Sequence, residues 1–307
     1  MIKIPFGKPI LDIKEKKIIS KVLESGKLVH GPKAKEFEKK FKNFTRAKDA
    51  ITVSSCTAGM HLFYFCQNIG RGDEVIIPQP YWVSYADMVV YSGGIPILLE
   101  TSYEENFDID PSKFESLISE KTKLFMLNSP NNPSGKYFNS KLLKKLGDIL
   151  LKHQQIYISS DDIYEHIHWN VENFHNIANV CPELKERVIV LNGVSKAYSM
   201  TGWRIGYAAG NKEIIKKMKT LQSQSTSCAS SVSQAAACAA LSQKCTEMSL
   251  MTEEYKKRHD YVVNQLNEID GVFCKATDGT FYVFPSFKQY ISDSKTINND
   301  SELALHL

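Results

Sequence analysis

The chain has 307 residues, 43% of them hydrophobic and 23% charged, which fits a globular protein large enough for two domains. Thirty-eight basic residues against thirty-four acidic ones leave a net charge of +4, too weak and too dispersed for a nucleic-acid-binding surface. There is no leader-type N-terminus, no apolar run of the roughly eighteen residues that a membrane span needs, and no C-x-x-C pair among the seven cysteines. A reduced, cytoplasmic protein without a membrane segment, metal site or disulfide framework is therefore expected.

In chain order, lysine-rich stretches such as DIKEKKIISK read as the wet faces of helices, and residues 1–44 are expected to form an N-terminal helical segment. Short apolar runs then predict strands at 50–53, 74–77, 95–99, 123–127, 156–159 and 188–191. Helical patterns lie between them, for example at 111–119 and 140–153. This alternation predicts an α/β fold, a mainly parallel sheet sandwiched by helices, within a large domain spanning 45–243. Long helical patterns follow, and a strand-like GTFYVFP at 279–285 suggests a smaller α+β domain over 244–307.

In such sheets ligands gather beyond the carboxyl ends of the strands. Those positions hold SSCTAGMH, PQPYWVSY, NSPNNPSG, SDDIYEH and GVSKAYSMTGWR, so five strand ends carry groups capable of chemistry. A lysine in a Ser-rich turn usually does no more than solvate it, but Lys196 at a buried strand end is placed to act as a Schiff-base nucleophile if its amine stays partly neutral. A carbonyl cofactor bearing a phosphate needs an anion cradle. The small residues from Ser55 to Gly59, with Cys56, Thr57 and Ala58 at a helix N-terminus, supply one, and Arg204 adds a guanidinium. A pyridine cofactor also needs an acid at its ring nitrogen, for which Asp161 is placed. Asn132 and Tyr164 are placed for a ring hydroxyl, and Trp82 for the ring face.

The motifs DDIYEH, NNPSG, PYWVSY and SKAYSMTGWRIGY together resemble, over about residues 73–307, the class I aminotransferases of the aspartate aminotransferase family. Those are pyridoxal 5′-phosphate enzymes of fold type I. The resemblance implies that Lys196 carries the cofactor and shuttles a proton between the substrate Cα and the cofactor. It implies that Asp161 pairs with the pyridine nitrogen, that Asn132 and Tyr164 bind the phenolic oxygen, and that Trp82 covers the ring. Arg204 and Ser195 would hold the phosphate. A homodimer with active sites at the subunit interface is implied as well.

Residues 1–78 instead resemble the DegT-type sugar aminotransferases, through IPFGKPILDIKEKKIISKVLESGKLVHGPKAKEFEKKF and VSSCTAGMHL, with GDEVIIP at 72–78 as the crossover. Gapless counting puts Ala58 where bacterial aspartate aminotransferases of this kind carry a substrate-binding lysine. It puts His30 near a tyrosine that they lend across the dimer. The chain ends in what reads as a helix of the small domain, and none of its five arginines (46, 71, 187, 204, 258) stands where the family clamps the substrate α-carboxylate. An incomplete small domain is expected from this. The leading functional expectation is transfer of an amino group from an amino acid, aspartate foremost, to a 2-oxo acid such as 2-oxoglutarate. A sugar-nucleotide aminotransferase, a β-eliminating lyase and a cofactor-binding remnant without turnover are the alternatives.

Overall fold

The computed structural model of the protein describes residues 13–28, 31–169, 173–241 and 246–306. His30 and the first twelve residues of the head lie outside them. A single sheet organises the chain: β1 (Asp49–Val53), β2 (Glu74–Pro78), β3 (Ile95–Leu99), β4 (Thr122–Asn128), β5 (Tyr157–Asp161), β6 (Val188–Gly193) and β7 (Gly206–Gly210), in the order β1-β7-β6-β5-β4-β2-β3. Strands β2 to β6 run parallel, as their alternation with helices predicts. The six expected strands form, with ends shifted by at most a residue or two.

β7 was not foreseen. Its sequence GYAAG has no apolar run to read, yet all five residues are buried, between β1 and β6 and antiparallel to both. Small residues fit here because Phe37 and Phe41 of the helix Pro32–Thr45 cover Tyr207, with ring centroids 5.2 and 4.1 Å away. The segment 279–285 forms no strand. It crosses the loop after β5 through single contacts, a Thr280 N–H donating to Ile167 O at 2.8 Å and an isolated bridge between His168 and Gly279. A crossing loop offers no ladder for a strand to extend.

The sheet is buried on both faces, and alternation along β4 shows how. Leu124 and Met126 join a core with Met60, Phe63, Val75 and Leu191, whereas Phe125 and Leu127 join another with Phe114, Leu143, Leu146 and Ile177. The first core is closed by the helices Cys56–Cys66 and Lys212–Ser225, the second by the helix Ser140–Lys152. Among the described residues no helix is long and apolar enough to cross a membrane, no His, Cys, Asp and Glu cluster suits a metal, and six cysteines are free thiols.

Candidate active site

Register brings the chemistry together. Gly206 of β7 lies opposite both Val53 of β1 and Gly193 of β6, while Asp161 of β5 lies opposite Leu191 of β6 and Asn128 of β4. The turns that leave β1, β4, β5 and β6 therefore open side by side at one edge of the sheet.

The turn after β1 enters the helix Cys56–Cys66, capped by Ser55, whose hydroxyl accepts the Ala58 N–H at 3.1 Å. Its first amides, at Cys56, Thr57 and Ala58, form a helix N-terminus of the kind that holds phosphate. β7 runs hard against this start. A Cβ on Gly206 would stand 2.3 Å from Cys56 N and Ser55 C, so only glycine lets the strand approach.

Asp161 is 4% exposed. The Tyr85 hydroxyl donates to its Oδ2 at 2.7 Å, and the Ile163 N–H and Cys56 Sγ reach Oδ1 at 3.2 and 3.5 Å. Burial pushes the carboxyl up from its ordinary value, while these donors and the Lys196 charge pull it down. Burial also holds the Cys56 thiol well above its usual range, so that it stays a donor. Lys196 is half-buried beyond the end of β6, with Nζ 5.7 Å from the Phe281 ring centroid. Its amine sits below its usual value, first through desolvation and also through Arg204, against the pull of Asp161. A lysine leaning toward its neutral form is a nucleophile.

Asn128 ties two turns together, donating from Nδ2 to Asp161 O at 2.9 Å and accepting the Asn132 N–H at 2.8 Å. Asn132 Nδ2 and the Tyr164 hydroxyl then meet at a single atom, the Tyr282 hydroxyl, at 3.4 and 2.9 Å. Trp82 stands edge-on to Tyr85, centroids 5.5 Å apart, and so flanks the tyrosine that holds Asp161. Ser195 is half-buried beside Lys196. Arg204 is exposed, in the left-handed region at φ 52°, and donates from Nη1 to Thr201 O at 3.1 Å.

The ten residues singled out from sequence thus occupy neighbouring turns. Tyr85 and Tyr282 were missed. Tyr85 lies in the same PYWVSY motif as Trp82, one helical turn on, and Tyr282 lay in a stretch read as a strand. The donor set fits a phosphate-bearing pyridine aldehyde: a helix N-terminus for the phosphate, a buried carboxyl for the ring nitrogen, and a half-buried lysine, its amine held below its usual value, for the carbonyl. A recess of about 590 Å³ between the loop after β5 and the helix Thr246–Asn267, lined among others by His168, Trp169 and Thr252, is bordered by none of these ten residues.

A sequence profile of the family described as aminotransferase class I and II matches residues 14–306, a span that includes most of the head. The chain is 47% identical over 239 residues to an aspartate/prephenate aminotransferase of Nitrosomonas europaea, covering 77% of this chain and 60% of that protein. It is 41% identical over 263 residues to an aspartate aminotransferase of Rhizobium meliloti, covering 84% of this chain and 64% of that one. In matching, the chain thus spans about three-fifths of the length of these curated relatives. The crystal structure of the aspartate aminotransferase from Rhizobium meliloti superposes with a TM-score of 0.88 and 35% identity, over 99% of this chain and 80% of that one. That of the Thermus thermophilus aspartate aminotransferase with maleate gives 0.79 and 34%, over 88% and 72%. With its fold type I sheet and a site suited to pyridoxal phosphate, the chain belongs to the class I and II aminotransferases.

Proposed function

We propose that the protein is a pyridoxal-phosphate-dependent aminotransferase that takes the amino group of an amino acid, aspartate foremost, and delivers it to a 2-oxo acid such as 2-oxoglutarate. The observation that carries this reading is Lys196: half-buried, its amine held below its usual value, in the field of the buried Asp161. The relatives, an aspartate/prephenate aminotransferase and an aspartate aminotransferase, support the choice of amino donor.

Bound here, the cofactor supplies a reactive aldehyde and an electron-withdrawing ring. Lys196 Nζ would anchor it and would serve as the base that moves the proton at the substrate Cα. Asp161 holds the ring nitrogen in its protonated form, and Tyr85 and Cys56 orient that carboxylate. Asn132 and Tyr164 orient the ring oxygen, and Trp82 excludes water from the ring face. The amides of Cys56 and Thr57, with Ser195 and Arg204, would hold the phosphate, while the Ala58 amide is taken by the Ser55 cap that fixes this helix start. A homodimer is part of the proposal. It is supported by an apolar face on the helices Cys56–Cys66 and Ser84–Tyr91, where Phe65, Val90 and Tyr91 are 48%, 60% and 74% exposed.

The arginines favour a second reading, a chain that binds the cofactor without turnover. Arg187 spends its guanidinium on the carbonyls of Leu150, His153 and Ile156, whereas Arg46, Arg71 and Arg258 are exposed. Arg204 carries its charge beside Lys196. Among the described arginines, a substrate α-carboxylate would then compete with the phosphate for Arg204.

Visible absorption of the chain with pyridoxal phosphate, for wild type and Lys196→Ala, separates these readings. A cofactor band that needs Lys196 and is converted by aspartate or glutamate is the expected result. A band indifferent to every amino acid would favour the second reading, and no Lys196-dependent band would refute the cofactor assignment. Release of pyruvate with no oxo-acid acceptor would reveal a lyase. Offering a keto-sugar nucleotide as acceptor tests the sugar-aminotransferase character suggested by residues 1–78.

A further inference from the structure

Glu165, the residue after Tyr164, belongs to none of the roles above, yet its carboxyl lies inside the protein with its side chain only 12% exposed. Oε1 accepts from Asn192 Nδ2 at 2.7 Å. Asn192 is 3% exposed, and its other side-chain atom, Oδ1, accepts the Gly193 N–H at 2.7 Å. That second bond fixes the amide's orientation, because Nδ2 then has to donate and Glu165 has to accept. Gly193 opens the turn that presents Lys196. A Cβ there would meet Ile205 O at 3.2 Å and Ile163 Cδ1 at 3.6 Å, so the turn is also confined between β7 and the Tyr164 loop.

We propose that Glu165 is a positioning residue for Lys196: its carboxyl grips Asn192, Asn192 grips Gly193, and the Tyr164 turn and the Lys196 turn thereby hold one fixed relation. The proposal rests on the reading of Lys196 as cofactor anchor and extends it to a residue outside the cofactor's reach.

The surroundings make the grip sensitive to pH. Burial pushes the Glu165 carboxyl up to about 7, against the opposing effect of the Asn192 bond. The groups that face it are His166, with Nε2 at 3.4 Å and held neutral by burial at about 4, and the buried Asp162 and Tyr207. The His168 side chain bonds the Glu165 main chain. Burial holds Asp162 well above the usual carboxylate range and Tyr207 well above its ordinary value, and the Glu165 charge pushes both further in that direction. An ionised acceptor bonds more strongly than a neutral one. The Lys196 turn therefore tightens as pH rises through about 7.

The test is trapping of Lys196 in the 307-residue chain by pyridoxal phosphate and borohydride, with the labelled peptide quantified from pH 6 to 9. Equilibrium cofactor affinity is measured alongside. Glu165→Leu leaves a buried amide without its acceptor and is expected to slow trapping about tenfold. Glu165→Gln keeps an acceptor and is expected to trap readily, but its rate relative to wild type changes through about pH 7. In the pair Glu165→Leu with Asn192→Leu, both partners go and the two effects are expected not to add. Wild-type trapping in Glu165→Leu overturns the proposal. Should that variant not fold, a Gln-to-wild-type ratio constant across pH overturns it. No labelling of Lys196 in the wild-type chain would instead remove the anchor reading, and this proposal with it.

Discussion

Asp161→Asn keeps the volume at the floor of the site and removes the charge. Tyr85 still has an oxygen to donate to, but both contacts on the other oxygen change: the Ile163 N–H loses its acceptor, and the Cys56 contact survives only if the sulfur becomes the acceptor. The expected outcome is cofactor affinity lower by about tenfold or more, with folding stability changed by only ~1–2 kcal/mol. Equilibrium binding of pyridoxal phosphate and a thermal melt measure the two, and unchanged affinity would take Asp161 out of the site. At this scale the residues legible in sequence were those whose type announces chemistry, such as Lys196 and Asp161. Glu165 and Tyr282 escaped because their meaning lies in partners: Asn192 belongs to β6, well beyond the turn that carries Glu165, and Asn132 and Tyr164 lie on turns remote from Tyr282 in the chain. Spacing along the chain carries no trace of such meetings.

Among elements, the approach of β7 to the helix Cys56–Cys66 is the contact least able to yield, since backbone meets backbone. Gly206→Ala puts a methyl group 2.3 Å from Cys56 N. It is expected to destabilise the fold by about 2 kcal/mol or more and to weaken cofactor binding at the displaced amides. Denaturant unfolding together with cofactor titration checks both, and a variant as stable and as tight-binding as wild type would show that the strand has room to move. The parallel strands were readable because burial on both faces demands continuous apolar runs. β7 was not, because two neighbouring strands and the helix Pro32–Thr45 leave it space only for GYAAG. The GTFYVFP stretch misled for the converse reason, having strand-like residues but no strand beside it.

For the whole molecule, buried titratable groups set how stability depends on pH. Glu165 moves from 4.5 to about 7 on folding, so the native state binds more protons than the unfolded chain across that window, and stability falls as pH rises through it. His166 moves from 6.5 to about 4, so the unfolded chain binds more protons there, and stability falls as pH drops through that range. The two oppose each other between about 4.5 and 6.5, and only the carboxyl acts above that. Compared with Glu165→Gln, the wild type is expected to lose up to about 3 kcal/mol as pH rises from 4.5 to beyond 7. Unfolding midpoints of both proteins from pH 4.5 to 8 read this directly, and parallel curves would contradict it. The position of β7 also bears on the order of assembly. β1 is made early, yet it pairs only with β7, Asp49 meeting Gly210 from far along the chain. A growing polypeptide can align β2 to β6 as each appears, while β1 waits at the margin for a neighbour. The phosphate turn is therefore completed only after β2 to β6 have been made, and a cofactor would enter an assembled sheet rather than guide its assembly.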